Sequence, residues 1–150
     1  MKRLIKFLRP VIIPCLHVWM RIMRPKTCGA AMVVRHSNEI LLIKTTYGYK
    51  YSLPGGGIKK GEQPIDAAKR ETFEEVGIRV PEAKALPPFT IHENHQEDTV
   101  YSFYSEVTSK EYRLDFLEID CAEWHPINKL PTTITPATKK ILELYFSKGK

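Results

Sequence analysis

A proline followed by three glycines, Pro54-Gly55-Gly56-Gly57, interrupts the chain after its first third. No helix runs through such a segment. It is a hard break. A few residues later the pattern changes. From Pro64 to Val76 the residues follow a helical period, with Ile65, Ala68, Thr72 and Val76 falling within about 40° of one direction. Pro64 suits the first helical position, Asp66 meets the positive end of the helix dipole, and Gly77 is placed to close the helix. The chain is therefore constrained to short elements before the break and one well-bounded helix after it. Eleven prolines and eight glycines in 150 residues extend the point to the whole molecule and argue against a helix bundle. With 43% apolar residues, the chain suffices for one compact domain.

Around the break, residues 28–35 (CGAAMVVR) and 39–45 (EILLIKT) read as two strands joined by a Ser37-Asn38 turn. Tyr47 to Leu53 is an aromatic loop entering a short strand. Residues 98–107 alternate like a half-buried strand, and another short strand ends at Glu123-Trp124-His125. Thr135-Pro136 opens a last helix, with Ile141, Leu142 and Tyr145 facing the core. Strands mixed with two helices predict a mixed α/β sandwich.

The predicted helix carries Glu71, Glu74 and Glu75, which span an arc of roughly 100° on its surface. Three like charges so close repel one another and weaken the helix. A hard divalent cation with oxygen ligands, Mg²⁺ or Mn²⁺, offsets that repulsion. Arg70 stands one turn before Glu74 and can pair with it. The glycines just upstream let backbone groups approach a ligand closely. A cation beside exposed backbone suits a pyrophosphate. The competing interpretation of Glu-x-x-Glu-Glu is a solvated helix face.

Net charge is +6, yet residues 1–26 carry seven Lys and Arg and no acid, so the remaining residues sum to −1. The basic character belongs to an amino-terminal arm, which sets the expected division into arm 1–26 and domain 27–150. Leu4, Leu8, Ile12, Leu16, Trp19, Met20 and Met23 recur at helical spacing, so the arm reads as a basic amphipathic helical element split at Pro10 and Pro14. Two uses are open to it. It packs on the domain or on a second copy in a homodimer, or it touches an anionic membrane surface or nucleic acid. Pro10, Pro14, His17 and Arg21 speak against a cleaved signal, and no 18-residue uncharged stretch offers a membrane span. Cys15, Cys28 and Cys121 lack zinc-site or disulfide spacing, so a reducing, cytoplasmic setting is expected.

The stretch from Gly56 to Ile78 resembles the signature of the Nudix hydrolase family, which includes MutT: G-x5-E-x7-R-E-U-x-E-E-x-G-U, with U a bulky aliphatic residue. Gly56, Glu62, Arg70-Glu71, Glu74-Glu75 and Gly77-Ile78 fill it in order, and every fixed position matches. The departure is Thr72 at an aliphatic position, where its hydroxyl can bond back to a helix carbonyl. Leu-Pro-Gly-Gly before the signature and Glu123 to Pro126 also resemble the family, and the likeness covers roughly residues 27–147. It implies a Nudix-type α/β/α sandwich around a mixed β-sheet (α+β), with water attacking a phosphorus in a nucleoside diphosphate linked to another moiety. The class spans nucleotides, nucleotide sugars and dinucleoside polyphosphates.

The same resemblance implies Glu71, Glu74 and Glu75 as metal ligands with the backbone near Gly56. It makes Arg70 the residue that orients a ligand carboxylate and Glu62 an outer acid. A further carboxylate, base or extra ligand, is expected before the last strand; Glu118 is the first candidate, ahead of Glu123, Asp120 and Asp115. Gly55, Gly56, Gly57 and Tyr51 are expected to bind substrate, with Tyr47 and Tyr49 as further stacking candidates. His92 and His95 either touch substrate or belong to a solvated loop. Two other functions remain in view: a nucleotide-binding regulatory module without turnover, and a pyrophosphohydrolase acting on RNA ends, guided by the basic arm.

Overall fold

The computed structural model describes residues 26–93 and 96–148. Residues 1–25 of the arm 1–26, and His95, lie outside the described residues, and with them the readings placed there; Lys26 opens the first strand. Nine elements follow in order: β1 Lys26–His36, β2 Glu39–Thr45, β3 Gly55–Gly57, α1 Pro64–Val76, β4 Lys84–Ala85, β5 Phe89–Glu93, β6 Gln96–Glu106, β7 Ile119–Pro126 and α2 Pro136–Ser147.

The apolar runs of β1 and β2 are continuous because both faces of the sheet are covered. Met32, Val34, Leu41 and Ile43 pack with Ala67, Ala68 and Val76 of α1. Their neighbours Val33, Ile40 and Leu42 point the other way and pack with Ile141 and Leu142 of α2. One seven-stranded mixed sheet thus lies between two helices, the expected sandwich. Its spine is β4-β6-β1-β2-β7. β1 runs parallel to β6 along its length, from Lys26↔Glu97 to Arg35↔Glu106, and the other pairings between these strands are antiparallel.

β1 and β2 form the expected hairpin, with Ser37 in the left-handed region at φ 52°. The two strands then part, and residues 52–57 enter between them. Ser52 exchanges both backbone bonds with Ile43, at 2.9 Å each, while Met32 N–H donates to the Pro54 carbonyl at 2.9 Å. The glycines are therefore more than a break, since β3 pairs antiparallel with Gly29–Ala31 of β1. At Gly55 a Cβ would stand 2.4 Å from the Ala30 carbonyl oxygen and 2.8 Å from Ala31 Cα, so only glycine permits this approach.

Both helices keep their expected ends. Pro64 opens α1, and Gly77, at φ 70°, closes it with its N–H on the Phe73 carbonyl. Thr135 caps α2 by accepting from Thr138 N–H. Thr138 is itself buried, and its hydroxyl oxygen accepts from Leu53 N–H at 3.1 Å, which ties the loop before β3 to α2. Two edge strands, β4 and β5, were absent from the sequence reading. They pair with β6, and β5 forms a hairpin with the first residues of β6.

Candidate active site

Arg70 organises the acidic face of α1. Its Nε and Nη2 reach the two oxygens of Glu62 at 2.7 and 2.9 Å, a bidentate pair. Nη1 donates to Glu71 Oε1 at 2.5 Å and to Glu74 Oε2 at 3.0 Å. Nη2 also donates to the Gly57 carbonyl at 3.0 Å, which fastens the end of β3 to the helix. The expected Arg70–Glu74 pair is present, but Glu62 is the larger partner. The Arg70 guanidinium, helped by Lys59 N–H at 2.9 Å, holds the Glu62 carboxyl down at about 2. Glu62 is thus the anion that keeps Arg70 in place.

Glu71 lies directly beneath Gly56. A Cβ on Gly56 would meet the Glu71 carboxyl carbon at 2.6 Å and both of its oxygens at 2.8 Å. Glu75 is the buried member of the triad, 6% exposed, and its Oε2 accepts from Gly55 N–H at 2.9 Å. Burial pushes its carboxyl up to about 8; the Gly55 bond opposes this, and the charges of Glu71, Glu118 and Glu74 add to it. The Tyr47 phenol is raised too, first by burial of its hydroxyl and then by Glu75 and Glu118. Glu118, exposed on the chain before the last strand, is thus within electrostatic range of Glu75, though it is not among the residues lining the cavity described below. Thr46 N–H donates to the Glu118 carbonyl at 2.8 Å and sets that approach.

The other candidate acids have different work. Glu123 accepts from Tyr51 hydroxyl at 2.7 Å. Asp115 Oδ1 accepts from Leu117 N–H at 3.0 Å within its own turn. Asp120 is exposed on β7.

A cavity of about 570 Å³ opens beside this face. Gly55, Gly56, Gly57 and Glu75 line it, as do Tyr47 and Tyr49 from the loop after β2. Tyr51 is not among its lining residues. Its ring instead lies edge-on to His125 at 5.1 Å and under Lys44 Nζ at 4.1 Å. The stacking place expected for Tyr51 is therefore filled by its neighbours two and four residues earlier. His92 is exposed on the edge strand β5. Among the further lining residues are Asp98, at the start of β6, and Thr27 of β1, which pairs with it in the β1–β6 register. The only signal for Asp98 was its place at the head of an alternating strand.

The donor set fits a hard divalent cation. Glu71 and Glu75 bring carboxylates to the glycine strand, at Gly56 and Gly55, and the buried Glu75 is costly as a lone charge. Among the described residues no three acidic, histidine or cysteine side chains converge as a ready-made ligand set. Glu71 and Glu74 lie on Arg70 instead.

Residues 23–145 match the NUDIX domain family. The chain belongs to the NUDIX family. The activity that goes with this assignment is hydrolysis of a pyrophosphate bond, and the family generally uses divalent metal ions. This Nudix chain is 32% identical over 114 residues to an RNA pyrophosphohydrolase of Rhizobium meliloti, covering 62% of this chain and 68% of that one. It is 31% identical over 114 residues to an RNA pyrophosphohydrolase of Brucella anthropi, covering 62% and 66%. The fold superposes on a MutT Nudix hydrolase from Burkholderia pseudomallei with a TM-score of 0.74 at 25% identity, over 80% of this chain and 98% of that one. The Nudix domain of Shewanella oneidensis NrtR, solved with ADP ribose, shares the fold with a TM-score of 0.73 at 12% identity, over 86% and 92%. Among the described residues no helix is long and apolar enough to cross a membrane.

Proposed function

We propose that the chain hydrolyses the pyrophosphate of a nucleoside diphosphate linked to another moiety, with Mg²⁺ as the preferred cation and Mn²⁺ as its substitute. The observation that carries this reading is the shared cavity: Glu75 and the glycine strand line the same space as two tyrosines. A nucleoside stacks on Tyr47 or Tyr49, and its pyrophosphate lies against Gly55–Gly57. Glu71, Glu74, Glu75 and the Gly56 backbone hold the cation. When bound, the cation neutralises pyrophosphate oxygens and acidifies water. Arg70 positions Glu71 and Glu74, and Glu62 holds Arg70. Glu118 takes the proton of the attacking water. The water-poor floor around Glu75 strengthens each of these interactions.

A second reading is favoured by the relatives named RNA pyrophosphohydrolases and by the seven cations of residues 1–26. The cavity then takes the 5′ end of an RNA, and the basic arm guides the strand. One panel tests both. Purified protein with Mg²⁺ or Mn²⁺ is incubated with nucleoside triphosphates, ADP-ribose, dinucleoside polyphosphates and 5′-triphosphorylated RNA, with and without chelator. Chelator-sensitive cleavage of free nucleotides is the expected result, and silence with both metals overturns the proposal. Activity confined to RNA, steeply salt-dependent and lost on deleting residues 1–26, selects the second reading.

A further inference from the structure

We propose that Asp98 reads the base of the bound nucleotide and selects guanine. The inference rests on the proposed nucleotide chemistry of the cavity and adds to it the identity of the base.

Asp98 belongs to the nucleoside side of the cavity. It stands opposite Thr27 in the parallel β1–β6 register, and the Thr27 hydroxyl donates to its Oδ1 at 3.0 Å. Val100, two residues on, packs in the α2-side cluster, whereas Ala30 packs with α1. Asp98 therefore shares the α2 face of the sheet with Val100, while Glu71 lies beneath Gly56 on the α1 side. The space in front of Asp98 is open because residue 29 is glycine. A Cβ there would stand 3.6 Å from Asp98 Oδ2 and 3.6 Å from the Gly56 carbonyl oxygen. Ile141 and Val100 supply apolar walls, and Tyr47 and Tyr49 supply flat ones.

With the Thr27 proton directed at Oδ1, this corner presents acceptors alone. A ligand edge that fits it carries donors side by side. Guanine offers N1–H and the N2 amino group in adjacent positions, matching two carboxylate oxygens. Adenine sets its N1 acceptor beside the amino group, and cytosine does the same with N3. Uracil flanks its one N–H with two carbonyl oxygens. Each of these leaves an acceptor facing an acceptor, so guanine alone pairs with both carboxylate oxygens. The carboxylate is not one of the proposed metal-binding acids: it stands on β6 beside Thr27, whereas Glu71, Glu74 and Glu75 stand on α1.

The test is equilibrium binding of GMP, IMP and AMP to the full chain by calorimetry. These probes lack the pyrophosphate, so the result does not depend on turnover. GMP is expected to bind about tenfold tighter than IMP, which lacks the N2 amino group, and about a hundredfold tighter than AMP. Asp98→Asn presents one donor and one acceptor, the complement of adenine, and is expected to reverse the ranking toward AMP. Equal affinity for the three, no binding of any, or a variant that keeps the guanine ranking overturns the assignment. If the variant fails to fold, the wild-type ranking alone decides. Guanine selectivity in a protein that cleaves no nucleotide would sustain Asp98 as the base reader while removing the proposed hydrolysis.

Discussion

Gly55 and Gly56 are adjacent and chemically identical, yet the structure assigns alanine substitutions at the two positions opposite consequences. Neither residue has positive φ, so a side chain strains neither backbone, and the difference comes from what a Cβ would strike. At Gly55 the obstacles are backbone atoms of the central strand: the Ala30 carbonyl oxygen at 2.4 Å and Ala31 Cα at 2.8 Å. These atoms are pinned by pairing on both sides. Overpacking of this kind costs about 3 kcal/mol, the upper end of its usual range. For a domain of this size that lowers Tm by roughly 6–12 °C. At Gly56 all three nearest atoms belong to the Glu71 carboxyl group, at 2.6 to 2.8 Å. That group ends a flexible side chain and can swing away, so Gly56→Ala lowers Tm by only about a third as much. The displaced carboxylate is the one expected on the cation. A misplacement of about 1 Å in such a group costs about a hundredfold in rate. Thermal unfolding by circular dichroism, paired with turnover on the substrate cleaved fastest, separates the two. The reasoning is refuted if Gly56→Ala melts as low as Gly55→Ala, or if it turns over at the wild-type rate.

Glu75→Gln removes a buried charge at nearly constant volume, and turnover should fall by about a thousandfold or more with the fold retained. It should also change the pH dependence of stability in chelator. A carboxyl raised to about 8 contributes its stability in full below about 4.5 and loses it as pH rises through 8. The metal-free wild type should therefore lose Tm between pH 5 and 8.5 more steeply than the variant, and parallel melting curves would refute this. Glu118→Gln should reduce turnover by less than Glu75→Gln and shift the acid limb of the pH–rate profile; an unchanged profile moves the base elsewhere. Thr72→Val deletes a hydroxyl that donates to the Ala68 carbonyl at 2.7 Å inside α1. Unfolding by urea should place it within about 1 kcal/mol of wild type, and a larger loss would mean the hydroxyl does more than close that bond.

What could be read from the sequence was local. The helix 64–76, its proline start and its left-handed Gly77 end follow from period and capping within one segment. The acidic face followed from the same period. Glu62 as the main partner of Arg70 was harder to see, because the pairing depends on how residues 57–62 fold back over the helix. Strands β4 and β5 were hidden because Pro87 and Pro88 sit between them, and prolines are tolerated there only at an edge. The tyrosine assignment failed to separate Tyr47, Tyr49 and Tyr51, since which side of the loop faces the cavity is set by the bridge from Ser52 to Ile43. The partner of Asp98 was hidden for a stronger reason: Thr27 lies 71 residues away in the chain.

The parallel pairing of β1 with β6 also fixes an order of events during folding. Thr27 and Asp98 touch across 71 residues of sequence, whereas β1, β2, β3 and α1 lie within one continuous stretch from Lys26 to Val76. Closing so long a loop is slow compared with forming a hairpin or a helix. The acidic helix and its glycine strand can assemble from nearby chain, while the base-facing wall waits for β6. On a ribosome, the acidic helix and its glycine strand therefore emerge well before β6, which completes the wall beside Thr27.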